Sequence, residues 1–395
     1  MAVRSGVSRV WAFLRNKVGL HGLGLVLTLV IIAFAAVVLY RMLHDLSFED
    51  VGRAMATKDP LHVAAAFVLV GCAYATLTLY DWFALHTIHK PVPYRIAAMA
   101  GFCSYSVGHN VGFTVFTGGS VRYRIYSAWG LGAIDVAKVC FIAGLTFWLG
   151  NIAVLGLGIT IHPEAASAVD HLPPYINRLI GIGALVALVG YVIWVSVAPR
   201  DIGRSSWFVR LPAGRTTLMQ IGIGILDLSL CAAAMYMLMP AEPYIDPISL
   251  AVIFITATLL GFASHAPGGI GVFDAALLVA LPQFDKNEMV GALLLFRLFY
   301  YIVPFALALV ILGIREARLG SRKLGKGGRE EGEAGLEGNA SSAAAPPVAA
   351  AAVARTGETR AGAAPGRGRS PARPSASAGR ACSDARAGSG QIGTN

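Results

Sequence analysis

Charge is scarce in this chain: 14% of its 395 residues are Asp, Glu, Lys or Arg, while 56% are hydrophobic. A soluble fold has nowhere to hide so much apolar side chain, so a soluble globular protein is excluded first. Cysteine is sparse as well. Cys72, Cys103, Cys140 and Cys231 lie in apolar runs and Cys382 in the tail, with no CxxC pair, which argues against a disulfide framework and against a thiolate metal site. Also missing are a metal-ligand cluster, a nucleophile elbow and a Gly-rich loop closed by Lys-Ser or Lys-Thr. No enzyme activity, metal or other cofactor is expected from this chain, nor ATP-driven pumping.

What is present is apolar sequence in long blocks. Hydrophobic runs fall near 20–40, 61–81, 96–116, 136–160, 179–198, 217–239, 249–281 and 290–314, each long enough to enter or cross a bilayer. The first has an apolar core of about 20 residues, longer than a signal-peptide core, and reads as an uncleaved span. The formal charge of +10 would suggest nucleic acid in a soluble protein. Here the cations sit in short loops and in the tail, so membrane topology explains them and no nucleic-acid partner is expected.

Positive residues favour the cytoplasmic side of short loops, which fixes a path for the chain. The N-terminus (Arg4, Arg9, Arg15, Lys17), the loop 200–215 (Arg200, Arg204, Arg210, Arg215) and the segment after the last run (Arg315, Arg318, Arg322, Lys323) belong inside. The loops 163–177 and 240–247 carry acids and no Lys or Arg, and belong outside. If every run crossed fully, two of these loops would lie on the wrong side. One run must therefore turn back, and the natural choice is the one broken around Gly108, His109, Asn110 and Gly112, entering and leaving on the cytoplasmic side. A second re-entrant unit over 249–281, broken at Pro267, Gly268, Gly269 and Gly271, then enters from outside and puts the C-terminus inside. The expected fold is an all-α polytopic membrane protein with about six full spans and two re-entrant hairpins.

Each half then reads as span, span, hairpin, span, and SVGHNVGFTVF in the first hairpin resembles SHAPGGIGVF in the second. Opposed repeats of this kind place a site at their interface near the midplane, though glycine and valine are common enough in membrane segments for the similarity to arise by chance. Three regions follow: a cytoplasmic N-terminus over 1–19, a transmembrane domain over 20–319, and a tail over 320–395 rich in Gly, Ala, Pro, Ser and Arg, expected to be disordered.

Ionisable groups in apolar runs are costly and so are candidates for function. Asp227 lies mid-run in ILDLSL, and Arg297 interrupts LLLFRLFYY. For Asp81 and Lys138, snorkelling to the interface is an equal alternative. Arg122 and Arg124, with Gly118 and Gly119 just before them, suit either a lipid phosphate or a positive-inside anchor. The hairpin glycines suit an anion at half-helix amides or close helix packing. His109 and His265 titrate near neutrality or serve as hydrogen-bonded structural residues.

The blocks GHNVGFTVFTGGSVRYRIYSAWGL (108–131), FWLGN (147–151), SHAPGGIGVFDAALL (264–278) and FRLFYYIVPF (296–305) together resemble the transmembrane domain of the lysylphosphatidylglycerol synthase/flippase family, over roughly 20–314. In its full-length members this domain moves aminoacylated phosphatidylglycerol between leaflets, and a separate soluble domain makes that lipid from aminoacyl-tRNA. The resemblance implies a lipid-handling surface at Arg122, Arg124, Arg297 and the two hairpins. Residues 320–395 cannot house a folded acyltransferase, so synthase activity is not carried over.

The leading expectation is a bacterial inner-membrane protein, both termini cytoplasmic, that translocates or binds phospholipid, possible headgroups including aminoacylated phosphatidylglycerol. Arg122, Arg124 and Arg297 would meet phosphate, while Asp81 and Asp227 would balance charge or meet an amine. A scaffold or accessory subunit for a lipid-modifying partner protein is the alternative from another class, and a solute carrier coupled to protons through His109 or His265 is the third.

Overall fold

A computed structural model of the chain describes residues 33–42, 48–112, 114–198, 200–204 and 207–318. The expectations for 1–19 and 320–395, and much of the first span, lie outside these residues. In chain order the helices are α1 (Ala33–Met42), α2 (Phe48–Thr57), α3 (Pro60–Thr87), α4 (Tyr94–Val111), α5 (Thr114–Tyr126), α6 (Ala133–Ile161), α7 (Pro163–Asp170), α8 (Pro174–Val197), α9 (Arg215–Leu238), α10 (Pro247–Ala263), α11 (Val272–Ala280) and α12 (Lys286–Arg318). Among the described residues α3, α6, α8, α9 and α12 are long and apolar enough to cross a membrane. The protein is an all-α polytopic membrane protein.

The helix starts follow from local chemistry. Asp59 accepts a hydrogen bond from Leu61 N at 2.8 Å ahead of Pro60, and Asp246 accepts one from Ser249 N at 2.9 Å ahead of Pro247. Each aspartate supplies an acceptor for an orphan amide, and each proline has its φ already set for a first turn. Asp285 serves α12 in the same way, accepting from Asn287 N at 2.9 Å.

Between the long helices, small residues let backbones touch. A methyl built on Gly150 of α6 would lie 2.6 Å from the Gly224 Cα of α9, and one on Gly181 of α8 would lie 2.9 Å from the Gly156 oxygen of α6. Gln220 seals the first crossing by donating to Thr146 Oγ1 at 2.8 Å and to Ile142 O at 3.1 Å. In lipid, where apolar burial gives no preference for helix over acyl chain, such close packing and interhelical hydrogen bonds supply the association.

Two pairs of helices depart from full-length spans. In the first, α4 continues regularly through Gly108, His109 and Asn110, so the break expected around them begins only at Gly112 (φ 82°, ψ 177°). The earlier positions stay helical because their backbone keeps its partners: Gly108 O accepts from Gly112 N at 3.2 Å and from Thr114 Oγ1 at 3.1 Å. In the second pair, α10 and α11 are separated by a 3-10 turn at Pro267–Gly269, with Gly268, Gly269 and Gly271 all at positive φ, where a Cβ is strained. The two breaks meet: a methyl on Gly112 would sit 3.3 Å from His265 O and 3.9 Å from Pro267 Cα.

α12 carries a π-helical stretch at Arg297–Ile302. Such a stretch disturbs the i to i−4 ladder, and its carbonyls find partners on other helices. Tyr74 Oη donates to Tyr300 O at 2.8 Å, and Asn110 Nδ2 donates to Tyr301 O at 3.2 Å. The one β element among the described residues is a short antiparallel hairpin in the arginine loop, Asp201–Arg204 against Trp207–Arg210.

Candidate functional site

A cavity of about 520 Å³ lies where the two breaks meet. α4 contributes Tyr105 and His109, α5 contributes Arg122, α6 contributes Gly144, Phe147 and Trp148, and the far wall comes from α10 and the turn beyond it, with Thr258, Phe262, His265, Gly268 and Gly269. Its size is that of a small-molecule site. The wall is mainly apolar and aromatic, and Val115, Phe116 and Trp148, which line it, are also 71%, 75% and 56% exposed. An apolar rim with one guanidinium inside is suited to an amphiphile whose polar end enters and whose tails stay out.

Arg122 is 4% exposed and is fixed from both sides. Its Nε and Nη2 donate to Asp81, the shortest contact being Nη2 to Oδ1 at 2.7 Å, and Asp81 also accepts from Tyr126 Oη at 2.7 Å. The Cζ atom stands 4.6 Å from the Tyr105 ring centroid. Geometry decides the question left open for Asp81: with 0% exposure it does not snorkel, and it neutralises Arg122.

The remaining candidates divide by position. His109, Gly112, Arg122, His265, Gly268 and Gly269 line the cavity. Arg124 faces Glu316 on α12 at 2.7 Å. Arg297 forms a two-pronged pair with Asp274, Nε to Oδ1 at 2.9 Å, and Asp274 itself accepts from Gly271 N at 3.1 Å. Lys138 stands 5.0 Å from the Phe208 ring of the β-hairpin and has no part in the cavity wall. Asp227 is buried between helices, accepting from Tyr80 Oη at 3.1 Å, and is likewise outside the wall. Gly118 is packed against α4, where a methyl would lie 3.0 Å from Ser104 O; Gly119 stands beside Cys140. Gly108 and Asn110 serve the ends of the break described above, and Pro267 and Gly271 shape the second turn.

Asp274, Glu316 and Tyr105 are not marked in the sequence, and Tyr126 only as an aromatic suited with Tyr123 to the headgroup region, yet they set the state of every arginine candidate. Asp274 had a local signal, since an acid three residues after Gly271 caps the helix that begins there. Tyr126 lies one helical turn after Arg122, the spacing that puts both on one face. Glu316 had none.

No family model matches the chain. Among curated proteins, an uncharacterized protein of Synechocystis sp. is 29% identical over 278 residues, covering 69% of this chain and 85% of its own length. Inner membrane protein YbhN of Escherichia coli is 25% identical over 289 residues, covering 70% of this chain and 88% of its own. Phosphatidylglycerol lysyltransferase of Staphylococcus aureus is 23% identical over 282 residues, or 70% of this chain but 32% of the enzyme. The chain is a homologue of these proteins, the lysyltransferases included. Its likeness to the lysyltransferases thus spans about a third of their length, whereas it spans most of the other two relatives.

Proposed function

We propose that this protein binds phospholipid and moves it across a bacterial inner membrane through the cavity between the two helix breaks. In this reading both hairpins are re-entrant, both termini are cytoplasmic, and the transmembrane domain runs over 20–319. The observation that carries it is the combination of a buried, pre-oriented arginine with an apolar, outward-facing rim in one cavity. A lipid has both parts, a polar headgroup and chains that remain in hydrocarbon. Irregular backbone at membrane depth is tolerated where it borders such a polar hollow. The lipid-modifying name of one group of relatives agrees with this chemistry.

The transfer itself needs no covalent step from the chain. Arg122, held by Asp81, Tyr126 and Tyr105, offers donors without reorganising, and the aromatic wall of Phe147 and Phe262 excludes bulk water. Glycines at the breaks allow the two turns to approach closely, so that both border the cavity a headgroup would enter. The test is reconstitution of the full chain into vesicles with fluorescent phospholipids. Faster loss of label to an external quencher than in protein-free vesicles is expected; an unchanged rate would remove the proposal.

A further inference from the structure

The polar end of the cavity offers donors and holds no free acid. Asp81 takes up the Nε and Nη2 side of Arg122, so Nη1 is the guanidinium nitrogen turned away from it. His109 lines the same cavity, with Tyr300 stacked beside it at 6.0 Å and 14°, and Tyr105 and Phe262 each at 5.7 Å. Its Nδ1 is buried without a hydrogen-bond partner. The ring therefore meets the cavity by its Nε2 edge. A neutral imidazole carries one N–H, and placing it on Nε2 leaves only a bare acceptor buried at Nδ1, less costly than a buried unpaired donor.

None of the residues lining the cavity is Asp or Glu. The carboxylates near it stand behind the wall: Asp81 is taken up by Arg122 and Tyr126, Asp274 by Arg297 and Gly271 N, and Asp227, which accepts from Tyr80 Oη and leaves Oδ1 without a partner, is buried outside the lining. An ammonium entering the cavity would stand beside Arg122 without a carboxylate of its own, in surroundings of low polarity where like charges repel strongly. A phosphate oxygen meets the opposite situation, two N–H groups in a cavity of headgroup size.

We propose that Arg122 Nη1 and His109 Nε2 form a phosphate subsite selecting phospholipids whose headgroups carry no amine, a phosphodiester to glycerol over ethanolamine- or aminoacyl-bearing lipids. This rests on the lipid-handling reading and narrows its substrate, away from the aminoacylated lipid that the family resemblance implies.

Native mass spectrometry of the detergent-purified full chain, titrated with short-chain phosphatidylglycerol, phosphatidylethanolamine and lysylphosphatidylglycerol, decides it. Phosphatidylglycerol should be retained roughly tenfold more tightly than either amine-bearing lipid, the scale of leaving one buried donor group unpaired. His109→Phe, which keeps the aromatic packing and removes the phosphate donor, should weaken retention of all three lipids about tenfold, and His109→Gln, which restores an N–H, should recover it. Equal or tighter retention of an amine-bearing lipid by the wild-type chain overturns the subsite even if a variant fails to fold. Undiminished retention of phosphatidylglycerol by a folded His109→Phe overturns it too. Retention of phosphatidylglycerol without movement of any lipid in vesicles would leave the subsite standing and remove transport alone.

Discussion

Asp81 and Arg122 show what a buried ion pair asks of its neighbours. Both are almost fully buried, so removing one leaves the other as an unpaired charge, at a cost of about 3–5 kcal/mol. Arg122→Met alone should therefore lower the thermal unfolding temperature of the purified protein strongly, and adding Asp81→Leu should recover most of the loss; no recovery would mean the pair is not coupled. Asn110→Leu leaves the Tyr301 carbonyl of the π-helical turn without its donor and should cost about 1–3 kcal/mol by the same measurement. At this scale the sequence revealed the cations but not their partners. Arg122, Arg124 and Arg297 stand out because each interrupts or borders apolar sequence. Their acids lie 41, 192 and 23 positions away, and only packing brings them together.

Helix length and start were legible because they rest on local chemistry: apolar runs of membrane length, and Asp-Pro pairs at Asp59–Pro60 and Asp246–Pro247. The position of the first break was legible only to within a few residues. Gly108 and Asn110 have the composition of a break, but Gly108 O accepts from Gly112 N, and Asn110 Nδ2 donates to Ser106 O within the helix and to Tyr301 O of α12, so the chain turns at Gly112, where φ is positive. An alanine there would be strained and would press on His265 O. Gly112→Ala should cost about 1–3 kcal/mol in thermal unfolding, whereas Gly144→Ala on α6, whose added methyl meets no atom within 4 Å, should be near neutral. Equal effects of the two substitutions would contradict a tight meeting of the two turns.

For the whole molecule, the described helices repeat the order span, hairpin, span, with α3, α4–α5 and α6 answered by α9, α10–α11 and α12; α8 precedes the second set, and the run over 20–40 expected before the first lies largely outside the described residues. The membrane orientation proposed for it has its own test. In a background without cysteines, Arg204→Cys should react with a membrane-impermeant maleimide only after the cytoplasmic face is opened, and Glu242→Cys should react in intact cells that have a permeabilised outer membrane; the reverse pattern would invert the topology. The position of the cavity was foreseen only as an interface between two hairpins, because the aromatic wall from α6 and α10 has no sequence pattern apart from ordinary core. The most direct measurement fills that cavity. Gly144 lines it and Gly183 on α8 does not, and a side chain at either meets open space at its first atom. In vesicles carrying fluorescent phospholipid, Gly144→Trp should bring the translocation rate down to that of protein-free vesicles while Gly183→Trp keeps the wild-type rate. Wild-type transport in a folded Gly144→Trp protein would contradict a lipid path through this cavity.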